Sequence, residues 1–313
     1  MRADKHLAIA LTYVEPLIAA RTPLADFFNS LLVSFHLSPS LLLCGMAWDH
    51  ELDVLIDVIR KAGVEAVRFA VDGFETIQKP DRSPVTSADL AVNQVLQSRL
   101  TSAFPQDGWL SEESPDSPDR LQKRRVWVVD PIDGTKAFIS GEPEFCISVA
   151  LIEQGQPIVA SIFNPSTDEL FTATRGGGLR LNDKPIAPPA AGRGQHPVIA
   201  LNLWERQIGR FTSLEPSANN RPIRSIAWVL ALAATGRIEA VATLEPENEW
   251  DVAAGALLIA EAGGTISDGH GHALIFNRRE PRYSGIIATS PHCPDAVTRQ
   301  LKLLTCGTDN GLV

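Results

Sequence analysis

Val126-Trp127-Val128-Val129-Asp130-Pro131-Ile132-Asp133-Gly134-Thr135 is the stretch on which the reading of this chain turns. Its four apolar residues predict a short buried strand that ends where the carboxylates begin. Asp130 and Asp133, with two residues between them, make a compact holder for a hard divalent cation. Mg²⁺ takes oxygen ligands together with a bound phosphate, usually through one or two carboxylates and not a closed protein cage. Gly134-Thr135 opens a helix-favouring stretch, where free N–H groups and the helix dipole stabilise a phosphate. The stretch therefore predicts metal-assisted phosphate chemistry. Taken alone, Asp130-Pro131 also reads as a strand-ending turn, and Asp133-Gly134 as a common turn.

On the N-terminal side, Asp49 can cap a helix whose apolar positions Leu52, Leu55, Ile56, Ile59 and Val67 recur at helical spacing, running to about Phe74. Gln78–Pro84 carries two prolines and predicts a loop. Thr86 or Ser87 caps a second helix that Phe104-Pro105 ends, and Ser114–Arg125 reads as a loop. On the C-terminal side, Phe145–Ile152 and Ile158–Ile162 flank Glu153-Gln154-Gly155-Gln156, a hairpin signal. Leu170–Thr174 and Leu179–Leu181 flank Gly176-Gly177-Gly178, a turn that lacks the Lys-Ser/Thr of a phosphate-binding P-loop. Pro188–Pro197 predicts a boundary. Beyond it come a helix near Ile226–Thr235, a strand near Ala240–Thr243, a helix over Val252–Ala262 and a strand over Thr265–Ser267. Strands first and alternating elements later predict a layered α/β protein.

The whole chain of 313 residues suits one large domain or two closely packed ones, and 44% hydrophobic with 21% charged residues is ordinary globular composition. A formal charge of −9 argues against a nucleic-acid polymer as partner. A small anionic substrate stays open, because bound cations invert the local field. The four scattered cysteines form no C-x-x-C pair and fit a reducing cytoplasm. Residues 1–45 differ in kind. Glu15 and Asp26 interrupt them, and Leu31–Leu43 is broken by Ser34, His36, Ser38 and Pro39, too short to span a bilayer. They are expected to be a dispensable leader, with no membrane partner. His270-Gly271-His272 reads as a turn, and no histidine pattern predicts zinc.

Four blocks then coincide in order: Lys79-x-Asp81-x-Ser83-Pro84-Val85-Thr86-x-Ala88-Asp89, Leu110-Ser111-Glu112-Glu113, Trp127 through Lys136, and Glu249-Trp250-Asp251-x-Ala253-Ala254-Gly255. From about Ala47 onward the chain resembles the inositol monophosphatase superfamily of Mg²⁺-dependent, lithium-sensitive phosphatases. The resemblance implies an α/β fold, a layered αβαβα sandwich of the sugar-phosphatase type in two closely packed halves. These are taken as 46–187, with the metal site, and 188–313, which completes it. Within the superfamily the chain is most similar to the 3'(2'),5'-bisphosphate nucleotidases, through Ser83-Pro84-Val85-Thr86, Ser111, Thr135-Lys136 and Glu144-Phe145. Inositol-specific members carry an acidic residue for sugar hydroxyls shortly before the Trp-Asp pair. That position falls near Thr243 or Leu244, where an apolar wall would suit a nucleoside, with Glu245 adjacent.

The resemblance also implies roles. Two or three Mg²⁺ ions are expected, Asp130 bridging two of them, Asp133 and Asp251 completing one shell, and Glu112 with the Ile132 carbonyl completing the other. Glu113 reads equally as a ligand and as a cap or surface residue, and a third, weaker ion is placed near the Glu pair. Thr135 and Asp89 resemble a water-activating pair, Gly134 and Thr135 a phosphate contact, and Lys79 a substrate-loop residue. The expected reaction is in-line attack of a metal-activated water on a small phosphomonoester, by a monomer or homodimer, without a phosphoenzyme. Inositol, histidinol and fructose-bisphosphate phosphatases are the alternatives on the same scaffold, and an inactive binding relative is the alternative of another class.

Overall fold

The computed structural model describes residues 48–80, 82–186, 196–214 and 218–306. The leader and most of the Pro188–Pro197 boundary lie outside these residues. The periodicity from Leu52 forms α1 (Asp49–Asp72). β1 (Thr76–Gln78) and β2 (Pro84–Thr86) pair antiparallel, so the loop expected over Gln78–Pro84 is the turn of a small hairpin. Pro84 is tolerated there because it opens a short edge strand. Thr86 caps α2 (Ser87–Ala103), and Asp89 closes a capping box with it.

A seven-stranded sheet follows in chain order: β3 (Gly108–Ser111), β4 (Arg125–Asp133), β5 (Cys146–Glu153), β6 (Gln156–Asn164), β7 (Glu169–Thr174), β8 (Gly178–Leu181) and β9 (Lys184–Pro185). A short helix, α3 (Thr135–Ile139), interrupts it after β4. β3 and β4 run parallel, and every later neighbour is antiparallel. β4 explains why its sequence is apolar without alternation, because it is covered on both faces. Trp127 and Val129 pack with Leu55, Ile59, Val92 and Leu96 of α1 and α2. Val126 and Val128 face the opposite core.

The second sheet uses β10 (Val198–Leu201), β11 (Asn219–Pro222), β12 (Ala240–Thr243), β14 (Thr265–Asp268) and β16 (Ile286–Thr289), in the order β11-β10-β12-β16-β14. The first three run parallel, and β16 is antiparallel to both its neighbours. Short helix α4 (Leu203–Gln207) leaves β10. Between the sheets lie α5 (Ile226–Ala234) and α6 (Glu249–Glu261), whose buried residues share one core with Val128 and Ala150 on one side and Val241 and Ala288 on the other. The outer face of the second sheet (Ile199, Leu201, Ala240, Ala242) packs on Val297 and Leu301 of α7 (Asp295–Cys306). The five layers are α, β, α, β, α, as the resemblance implied. A two-residue strand, β13 (Glu247–Asn248), pairs with β15 (Arg282–Tyr283) just before α6. No helix among the described residues is long and apolar enough to cross a membrane.

One local reading is corrected. β4 does not turn away at Asp130. It continues to Asp133, with a register shift against β5 between those two residues. A bulge of this kind bends a strand and re-aims its side chains while keeping it in the sheet.

Candidate active site

The bulge places both aspartates at the mouth of a cleft of about 470 Å³, lined also by Glu112, Thr135, Glu247 and Asp251. Glu112 follows the end of β3, and its N–H donates to the Val129 carbonyl, which seats it beside β4. Asp251 arrives from a segment far along the chain, in the first turn of α6, where its Oδ2 accepts the Asn248 N–H at 2.8 Å. Carboxylate oxygens of Glu112, Asp130 and Asp251 lie within 4.8 Å of one another. Asp130, 2% exposed, accepts the Ile132 N–H at 3.0 Å through Oδ1. Asp133 lines the same cleft, but its Oδ2 is held by the Ser225 hydroxyl and the Ala227 N–H, both at 2.6 Å. The Ile132 carbonyl accepts the Thr135 hydroxyl at 3.1 Å.

Thr135 is the first residue of α3, and its hydroxyl also reaches Asp89 Oδ1 at 3.2 Å. The other Asp89 oxygen takes the Thr86 N–H at 2.8 Å and its hydroxyl at 2.5 Å. Gly134 adopts φ 91°, a left-handed conformation that suits glycine, and an added Cβ would fall 2.8 Å from the Glu144 carbonyl. No side chain fits between β4 and the Glu144 and Ser225 segments. Lys79, on the β1–β2 turn, donates to Glu112 Oε1 at 2.7 Å and to Glu113 Oε1 at 2.6 Å. Glu113 is therefore neither a cap nor a surface residue, since its side chain is 7% exposed. The Lys79 ammonium thus lies beside the Glu pair near which a third ion is expected.

The donor set is hard oxygen throughout, and its charges crowd one another, as a divalent cation site requires. Burial raises the carboxyls of Asp130 and Asp251 well above the usual range, and their acidic neighbours add to it. Burial also raises Asp133 to about 7, against the Ser225 and Ala227 bonds, which lower it. Burial lifts Glu113 to about 6, opposed by Lys79. For Lys79 itself burial acts downward, but Glu112 and Glu113 outweigh it and the net shift is up.

A stability prediction follows from Asp133. Between its ordinary value of 3.8 and about 7, the folded protein holds a proton that the unfolded chain has released. Stability then falls as pH rises through that window, the reverse of an ion-paired aspartate. The chelated protein should melt several degrees higher at pH 6 than at pH 8, and Mg²⁺ should reverse the order. Scanning calorimetry at both pH values decides it, and a chelated protein that melts higher at pH 8 would refute it.

Three contributors escaped sequence reading. Ser225 caps α5 and fixes Asp133 from 92 positions away. Asn93, one turn beyond Asp89 on α2, accepts the Ser111 hydroxyl at 2.8 Å and donates to Ser114 at 3.0 Å, pinning the turn that carries Glu112. Glu247, partly buried on β13, lines the cleft and is pushed up to about 8 by burial and by Asp133. A Ser-x-x-Trp helix start was visible for Ser225, but its partner was not. The apolar wall expected near Leu244 is absent from the cleft lining. Leu244 packs instead against the outer core, and its N–H donates to buried Glu205. Neighbouring Glu245 pairs with Arg210 and does not line the cleft either.

Residues 49–304 match the profile of the inositol monophosphatase family. The chain is 35% identical over 243 residues to an inositol-1-monophosphatase of Rhizobium meliloti, covering 72% of this chain and 88% of that one. It is 31% identical over 242 residues to the 3'(2'),5'-bisphosphate nucleotidase CysQ of Escherichia coli, covering 73% and 95%. Among solved structures, the extragenic suppressor protein suhB from Bartonella henselae superposes with a TM-score of 0.69 at 30% identity, over 82% of this chain and 99% of that one.

Proposed function

The chain belongs to the inositol monophosphatase family and is a phosphatase; from that premise we propose that it hydrolyses a 3'(2'),5'-bisphosphate nucleotide, adenosine 3',5'-bisphosphate above all, to a 5'-monophosphate and phosphate. The family is Mg²⁺-dependent in general, and Glu112, Asp130, Asp133, Asp251 and the Ile132 carbonyl would hold the two or three ions. The observation that supports this most is the meeting of Glu112, Asp130 and Asp251 oxygens within 4.8 Å, drawn from three separate segments. Bound divalent cations supply charge neutralisation of the phosphoryl group and acidify water. The protein's own part is orientation. The Thr135 hydroxyl, held by Asp89, aligns a water for attack, and Asp89 is buried where it can favour proton removal. Gly134 and Thr135 face the departing phosphate. Lys79 offsets the negative charge on Glu112 while the substrate enters.

The bisphosphate preference draws support from Lys136 and Arg224, which line the cleft beside the carboxylates and can meet a second phosphate. A second reading, a polyol phosphate such as inositol 1-phosphate, is favoured by Glu247, a carboxylate in the cleft that can accept from sugar hydroxyls. A substrate without a second phosphate would leave Lys136 and Arg224 without that partner, and an unmatched polar group costs about 1–3 kcal/mol, enough for tenfold discrimination or more. With saturating Mg²⁺, kcat/KM for adenosine 3',5'-bisphosphate should exceed that for inositol 1-phosphate at least tenfold, and millimolar Li⁺ should inhibit both. A ratio favouring inositol 1-phosphate would transfer the assignment to the second reading.

A further inference from the structure

Arg120 is 2% exposed and uses its guanidinium to tie together two segments far apart in sequence. Its Nε and Nη2 donate to the two Asp116 oxygens at 2.6 and 2.9 Å. Its Nη1 donates to Asn277 Oδ1 at 2.7 Å, and its Nη2 to the Arg278 carbonyl at 2.9 Å. Asn277 returns a bond from Nδ2 to the Arg120 carbonyl at 3.3 Å. Asn277 adopts φ 60°, a left-handed conformation that asparagine tolerates better than most residues. Its N–H and that of Arg278 converge on the Glu249 carboxylate, at 2.7 and 2.9 Å.

One end of this chain of bonds lies two residues from a cleft carboxylate, and the other lies in the segment that follows Glu112. Arg120 closes the segment that begins at Glu112, eight residues earlier. Glu249, fully buried, opens α6 and precedes Asp251 by two residues, and its own N–H donates to Pro281. Glu112 and Asp251 are two of the three residues whose oxygens meet within 4.8 Å. They come from different layers of the fold and share no hydrogen bond among the described residues. Replacing a buried charged network by apolar packing of the same volume is often neutral for stability, so burial alone does not assign this network a stabilising role.

We propose that Arg120, Asn277 and Glu249 are positioning residues that set the distance between Glu112 and Asp251, and so the affinity of the cleft for its cation. The proposal rests on the metal-site reading above. Direct outer partners of metal ligands typically alter affinity about 10- to 100-fold when removed, and residues one bond further out, as here, are expected to act more weakly. Arg120→Lys keeps the charge but loses the planar fork, and Asn277→Gly, which suits the left-handed backbone, removes the side-chain bonds and leaves the arginine in place. Titration calorimetry with Mg²⁺ alone should show both variants binding severalfold more weakly than wild type, with a smaller rise in melting temperature on Mg²⁺ addition. At saturating Mg²⁺, KM for substrate should stay within twofold of wild type. Variants that melt lower with and without Mg²⁺ yet bind it as wild type does would overturn the positioning role. A wild-type protein that binds no Mg²⁺ would overturn the metal-site reading itself.

Discussion

Asp130→Asn is expected to fold as wild type does and to lose turnover on the order of a hundred- to a thousandfold, the scale seen when one preorganised electrostatic group is removed from a reacting centre. The amide preserves the shape of a side chain that is 2% exposed, and its Oδ1 can still accept the Ile132 N–H. It removes one negative charge from the place where Glu112, Asp133 and Asp251 converge. The same change should make the metal-free protein more heat-stable, because burial and four acidic neighbours, Glu112, Asp133, Asp251 and Asp89, raise this carboxyl well above its usual range, so folding must either protonate it or ionise it unfavourably, and an amide needs neither. Mg²⁺ should then stabilise the variant much less than wild type. Activity and melting temperature therefore move in opposite directions. Retention of a tenth of wild-type turnover, or a metal-free variant that melts lower, would sink the central role given to this carboxylate.

Thr135→Ala should lower kcat about a hundredfold or more, in the range ascribed to a positioned proton-transfer group. It should leave Mg²⁺ affinity close to wild type, which separates it from Asp130→Asn. The hydroxyl lies 3.2 Å from Asp89 Oδ1, the oxygen that Thr86 leaves over. Alanine would deprive a buried carboxylate oxygen of its donor, at a cost of about 1–3 kcal/mol. Thr135→Ser restores the hydroxyl and should recover most of both losses. If serine is as slow as alanine, the hydroxyl is not what matters, and the Thr135 methyl group must be supporting the α3 start instead.

The sequence made the site more legible than the scaffold. Asp130 through Thr135 is a local pattern, so the strand, the carboxylates and the helix start could all be read within ten residues. Val126–Val129 announced a doubly covered strand through the lack of alternation alone. Asn219–Pro222 carries no strand signal of its own, and it is extended because β10 pairs with it. The second sheet was underestimated partly for that reason, and partly because the apolar runs Val198–Leu201 and Ile286–Thr289 were passed over. Ser225 and Asn93 act across 92 and 18 positions, and such partners become visible only when the layers are in place. The Leu244 error has a related cause. Counting back from Trp250-Asp251 assumed a continuous approach to the cleft, whereas β13 pairs with β15 and brings Glu247 to it instead.

Asp89 and Asp251 each occupy the third position of a helix and close a capping box there, in α2 and α6. Such a box holds a helix end in any protein, enzyme or not. Among descendants of this scaffold that had ceased to turn over substrate, these two aspartates would be the last to drift, preserved by folding alone. Glu112 has no such duty, and among the described residues its side chain is tied only to Lys79 on a turn. When a genome yields a sequence of this shape with its Trp-Asp pair intact, the residue after the Leu-Ser pair is the better witness to whether the enzyme is still alive.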